Sequence, residues 1–208
     1  MVVTDRDIRI IRETARWRVL LGRQVKIIGG FTGTRATDRR LKKLVDNGFL
    51  EKKKYIYGIA SIYNVTPLAK RKFDLGTYIN KVRLEQIEHD MAVVDTYLYL
   101  KEKYSIKSDD VKSEKELRNE KGFITRGHVP DFTFNCQDEK YAVEIELTLK
   151  SKERFQSNVK NNYLEFDKQI WVVSKWRKAI IEQLKEFQHM YGNIEILFLE
   201  DFIKGVKC

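Results

Sequence analysis

The sequence predicts an α+β protein of two domains. A basic helical domain with a β-hairpin occupies 1–75, a short linker 76–80, and an α/β domain with a mixed central sheet 81–208. Three observations predict it. The excess of positive charge is confined to the first third. Three short amphipathic segments followed by a hairpin fill that same third. Beyond His128, alternating and apolar runs of strand length interleave with helical segments.

The totals set the bounds. A chain of 208 residues accommodates one large or two small domains. It has no run of about 18 apolar residues, so no transmembrane span is expected. The start, MVVTDRDIRIIRET, is charged too early for a signal peptide. Cys136 and Cys208 form neither a disulfide framework nor a CxxC pair, which points to a reducing cytoplasm. The formal net charge is +10, unevenly placed. Residues 1–75 hold 18 Lys and Arg against 7 Asp and Glu, and the remainder holds 22 against 23. A basic surface kept for solubility would be spread more evenly; an excess held by one domain points to a polyanion, above all double-stranded DNA.

Within that third, Thr4 is a candidate N-cap, with Asp5 and Asp7 in the first helical turn. Ile8, Ile11, Ala15 and Val19 recur at helical spacing. A second apolar segment, Leu21 to Ile28, stops at Gly29-Gly30. A third starts near Thr32-Gly33-Thr34 and ends at Gly48, with Thr37, Leu41, Leu44 and Val45 on one face. Arg35, Arg39, Lys42 and Lys43 lie opposite, and Arg40 flanks the buried face. The hairpin follows, with Lys52, Lys53 and Lys54 on its first strand, a turn at Gly58 and a return through Ile62–Val65. Three short helices and a basic hairpin are the order of a winged helix-turn-helix. Arg35 and Arg39 suit bidentate contacts to guanine edges. Lys42, Lys43 and the three hairpin lysines suit phosphates, which fix register without reading sequence. The plain alternative for the triple lysine is an edge strand guarded against aggregation.

A long helix is expected over Arg83–Lys103, with Leu84, Ile87, Met91, Val94 and Leu98 as its apolar stripe. That stripe packs on the second domain or pairs with a twin helix, which would make a homodimer. The chemistry concentrates between His128 and Lys152. Val129–Cys136 and Tyr141–Leu149 alternate as strands, with Gln137–Lys140 as the turn. Tyr141, Val143, Ile145, Leu147 and Leu149 share one face; Ala142, Glu144, Glu146 and Thr148 share the other. Glu144 and Glu146 are thus about 7 Å apart by strand rise, and Asp131 lies on the preceding strand. Converging carboxylates repel unless a cation or proton sits among them, and a hard divalent ion such as Mg²⁺ would fit. A charged, solvated sheet face neutralised by Lys140, Lys150 and Lys152 is the competing reading. Further on, Ser151–Tyr163 and Lys175–Met190 read as helices, Gln169–Ser174 and Ile194–Leu199 as strands.

A helix with Glu114 and Glu116, a hairpin carrying Pro130-Asp131 and then Glu144-x-Glu146, a helix, an apolar strand, a helix and a strand: this order resembles the PD-(D/E)xK nuclease-like fold. The resemblance implies Asp131, Glu144 and Glu146 as metal ligands, and Asp131, Glu144, Glu146 and Lys150 as the catalytic set if the site is active. Glu146 stands where most active members carry Lys, and Lys150 could supply the ammonium four residues later. Glu114 or Glu116 would match the helical acid of parts of that fold. Over most of its length the chain also resembles the replication-relaxation family of plasmids and mobile elements, through VTDRDIRIIRETARWRVL, RRLKKLVDNGFLEKKK, EHDMAVVDTYL and VEIELTLKS. That resemblance implies a DNA-binding protein of replication, mobilisation or transcriptional control, with replication or relaxase proteins as partners. Two functions are therefore expected of the sequence. One is DNA binding, with the second domain as scaffold or partner surface. The other is a Mg²⁺-dependent endonuclease steered by the first domain.

Overall fold

The computed structural model describes residues 1–55, 60–76, 82–122 and 127–203. Gly58, most of the expected linker and Cys208 lie outside the described residues. The chain forms two compact units, Met1–Val94 and Asp95–Cys208. The division falls inside a helix, later than the expected 76–80.

In the first unit, helix α1 (Asp5–Trp17) starts where Thr4 and Asp7 form a capping box, which satisfies two of the N–H groups left open at a helix start. Its inner face is Ile10, Ile11, Ala15 and Trp17; Ile8 is only partly covered. The expected second helix is found as α2 (Gly22–Ile28), preceded by a two-residue strand, β1 (Leu20–Leu21). Helix α3 (Thr34–Asp46) buries Thr37, Leu41 and Leu44. It ends at Gly48, whose φ of 70° is a conformation that suits glycine and lets Gly48 and Phe49 donate back to Val45 and Leu44. Strands β2 (Leu50–Lys53) and β3 (Ile62–Val65) are antiparallel, and β1 pairs with the far edge of β3, giving the order β1-β3-β2. Helix α4 (Pro67–Lys72) follows, capped by Thr66 with Pro67 in its first turn.

Helix α5 (Ile87–Lys103) is shorter than expected. Leu84 belongs to a preceding 3₁₀ turn and is exposed. Residues 92–97 are buried around the whole helix, so a single stripe does not describe it. At its start, Ile87 and Met91 join Val19, Leu21 and Ile62 in a cluster of the first unit.

The second unit is built on a five-stranded mixed sheet. Strands β4 (Val111–Ser113), β5 (Phe132–Cys136) and β6 (Glu139–Glu146) run antiparallel, with α6 (Glu114–Lys121) between β4 and β5. Helix α7 (Lys152–Glu165) leads to β7 (Lys168–Val173), and α8 (Lys178–Tyr191) to β8 (Ile194–Phe198), both strands parallel to β6. A last turn of helix, α9 (Leu199–Phe202), follows. The sheet order is β4-β5-β6-β7-β8. The β5–β6 turn is tighter than the expected four residues: Cys136 faces Glu139, and Gln137 and Asp138 both take positive φ, as a type I′ turn requires. Strand β6 ends at Glu146, so Leu149 lies beyond the sheet and is exposed.

Both faces of β6 are buried, from Tyr141 to Glu146. On one side Phe134 stacks on Tyr141 with centroids 4.5 Å apart, and Tyr104 joins them. On the other, Phe155 and Val159 of α7 and Ile180, Leu184 and Phe187 of α8 pack on Trp171 and Val173. Glu144 is in register with Trp171 and Glu146 with Val173. The acids therefore share the face that the helices cover. The competing expectation of a solvated face does not hold, because α7 lies over it.

Candidate functional site

The first candidate is the surface of α3 and the hairpin. Arg35, Arg39, Lys42 and Lys43 are exposed, opposite the buried Thr37, Leu41 and Leu44. This follows from helical spacing, since an apolar stripe turned inward leaves the other residues outward. Arg40 is different. Its Nε donates to Asp7 Oδ1 at 2.6 Å, its Nη2 to Asp7 Oδ2 and, at 3.2 Å, to the Val2 carbonyl. Burial pushes the Asp7 carboxyl upward, but the Arg40 and Thr4 hydrogen bonds outweigh it and hold it below the ordinary value. Arg40 thus ties α3 to the start of α1.

The three lysines at the end of β2 divide. Lys52 and Lys54 are exposed, and Lys52 Nζ stands 6.0 Å from the centre of the Tyr63 ring. Lys53 pairs with Glu51 at 2.9 Å, and Asn64 donates to the same carboxylate at 3.2 Å. An exposed pair of this kind contributes little to stability, so it leaves the ammonium available to a phosphate. Sequence reading passed over Arg6, Arg9 and Arg12, which are also exposed, along α1. Their spacing of three was a visible signal.

The second candidate is the acid cluster of the second unit. Asp131 sits just before β5, where its N–H donates to Val143 O and its Oδ2 accepts from the Ile145 N–H at 2.8 Å. Glu144 is 4 % exposed and Glu146 3 %. Glu144 Oε1 lies 2.5 Å from His128 Nε2 and accepts from Asn162 Nδ2 at 2.9 Å. Glu146 Oε2 pairs with Lys150 Nζ at 2.5 Å. Burial pushes Glu144 up, with Asp131 adding to it and His128 opposing it. Burial also raises Glu146, against the pull of Lys150.

The structure thus brings Asp131, Glu144 and Glu146 close enough to raise one another's carboxyls, pairs Lys150 with Glu146, and adds two residues that sequence reading missed. The signal for Asn162 was polar residues on the inner face of α7, where Asn158 and Asn162 alternate with Phe155 and Val159. His128 had the signal of adjoining Pro130-Asp131. Glu114 and Glu116 have other partners: Glu114 accepts from Arg118 Nε at 2.9 Å, and Glu116 caps its own helix through Ser113. Among the described residues, no group of three His, Cys, Asp or Glu is arranged to hold a metal ion. Asp131 and Glu144 each accept a hydrogen bond, and Glu146 is held in an ion pair with Lys150. The donor set therefore fits a cluster neutralised by Lys150 and shared protons better than it fits a divalent cation.

No model of a protein family matches the chain, and no curated protein matches it.

Proposed function

We propose that the chain binds double-stranded DNA through its first unit, a winged helix in which α3 reads the major groove and the β2–β3 hairpin is the wing. The carrying observation is the outward face of α3. Arg35, Arg39, Lys42 and Lys43 are exposed together, in the unit that holds the chain's entire positive excess. The second unit, read as a nuclease-like domain, acts as scaffold or partner surface. The setting is plasmid or mobile-element DNA, in replication, mobilisation or transcriptional control within the cytoplasm, with replication or relaxase proteins or a second copy as partners. Among the described residues no helix is long and apolar enough to cross a membrane.

The test is duplex binding as a function of salt. Each phosphate contact contributes a slope of about 0.9 in log K against log salt. Replacing Lys52, Lys53 and Lys54 with Ala should weaken binding to all sequences alike and make the slope shallower by about one to three units. Unchanged affinity at moderate salt would remove the wing from the interface. Arg39→Ala should instead lose about 1–3 kcal/mol at particular base pairs. A site selection returning the same preference as wild type would count against α3 as the reading helix.

A second reading, a metal-dependent endonuclease, has one observation in its favour. Lys150 brings an ammonium to Glu146, beside Asp131 and Glu144, although the motif position itself carries Glu. In that reading a divalent ion would be held by the three acids and would polarise the phosphate. The present partners of those acids favour the binding reading.

A further inference from the structure

The chain has three tryptophans, and they are treated unequally. Trp17 is 5 % exposed and Trp171 fully buried, whereas Trp176 is 78 % exposed. A ring of this size left in water forgoes a large burial energy, so its place in the fold matters. Trp176 lies between β7 and α8. The backbone around it is pinned. Lys175 N–H donates to Glu200 Oε2 at 3.0 Å, Trp176 N–H to Ser174 Oγ at 3.4 Å and Arg177 N–H to Ser174 O at 3.0 Å. Ser174 Oγ in turn donates to Glu200 Oε1 at 2.5 Å. The indole is therefore carried on a rigid corner and needs little ordering on binding.

The corner stands at the carboxyl ends of the three parallel strands, since Glu146, Val173 and Phe198 are in register across β6, β7 and β8. Next to the indole in the chain, Arg177 and Lys178 are exposed and make no ion pair among the described residues, whereas Lys175 is paired with Asp201. An exposed, preorganised indole with cations on its flank is the arrangement that stacks an unpaired base and neutralises its phosphate.

We propose that Trp176 is a stacking platform for an unpaired nucleobase of a DNA strand, with Arg177 and Lys178 on the adjoining phosphates. This would give the second unit a nucleic-acid contact of its own, and it rests on the reading of the chain as a DNA-binding protein. The full chain should bind a short fluorescent oligothymidylate, and Trp176→Ala should weaken that binding roughly 5- to 150-fold. Trp176→Phe should keep most of it. The same oligomer made abasic, equal in charge, should bind wild type no better than oligothymidylate binds Trp176→Ala. Duplex binding should stay unchanged in both variants. Equal binding of oligothymidylate by wild type and Trp176→Ala would overturn the proposal. So would abasic binding as tight as that of oligothymidylate, or an effect of Trp176→Ala on self-association alone. Absence of duplex binding, with Trp176-dependent oligothymidylate binding retained, would instead count against the winged-helix reading and leave the platform standing.

Discussion

Arg40→Ala should destabilise the first unit by about 3–5 kcal/mol, a large share of what a domain of this size has. Asp7 is fully buried and takes a two-pronged contact from the guanidinium. Removing the arginine leaves a carboxylate in the interior with only the Thr4 hydrogen bonds. The effect comes from that stranded charge, so Asp7→Asn added to Arg40→Ala should recover part of the loss. Arg40→Lys should not, because an ammonium cannot reproduce the fork. The pH dependence should change sign. In wild type the Asp7 carboxyl is held below its ordinary value of 3.8, so its contribution is present above that value and fades as pH falls through the lowered one. Without Arg40, burial dominates, and stability should fall as pH rises. Urea melts over a pH series read both quantities. Equal midpoints for wild type and Arg40→Ala would mean that Arg40 faces solvent or DNA after all.

Glu144→Gln should remove a pH dependence of the opposite kind. Burial holds the Glu144 and Glu146 carboxyls above their ordinary value of 4.5. The folded state then binds protons that the unfolded chain has released. Stability is complete below 4.5 and is lost as pH rises through the raised values, by up to about 1.4 kcal/mol per pH unit for each group. The Gln variant should be flatter and, at neutral pH, at least as stable as wild type. Mn²⁺ at millimolar levels should not raise the melting temperature of either protein. A Mn²⁺-dependent rise in wild type that disappears in Glu144→Gln, by mass action on the folded state, would carry the nuclease reading instead.

What could be read in advance follows the physics of each signal. The face of α3 was legible because Thr37, Leu41 and Leu44 share a helical period and their opposites are charged. The convergence of Glu144 and Glu146 was legible because strand parity is strict. Their burial was not, because parity tells which side a residue takes and not what covers that side. Only α7, folded back over the sheet with Asn162 turned inward, decides it. Arg40 escaped for a similar reason. Its partner Asp7 lies 33 residues away, and Asp7 reads by itself as an ordinary helix-start acid. Contacts distant in sequence between single charged residues leave no periodic trace.

The two-residue turn at Gln137-Asp138 bears on how this chain can vary. Exposed loop tips usually accept insertions and deletions freely. Here the tip sets the pairing of β5 with β6, and with it the side to which each residue of β6 belongs. A slip of one residue would turn Glu144 and Glu146 toward Phe134 and Tyr104, and Val143 and Ile145 toward Asn162. Length at this tip is thus under tighter constraint than its exposure suggests, and relatives that keep the acids should keep the turn at its present length.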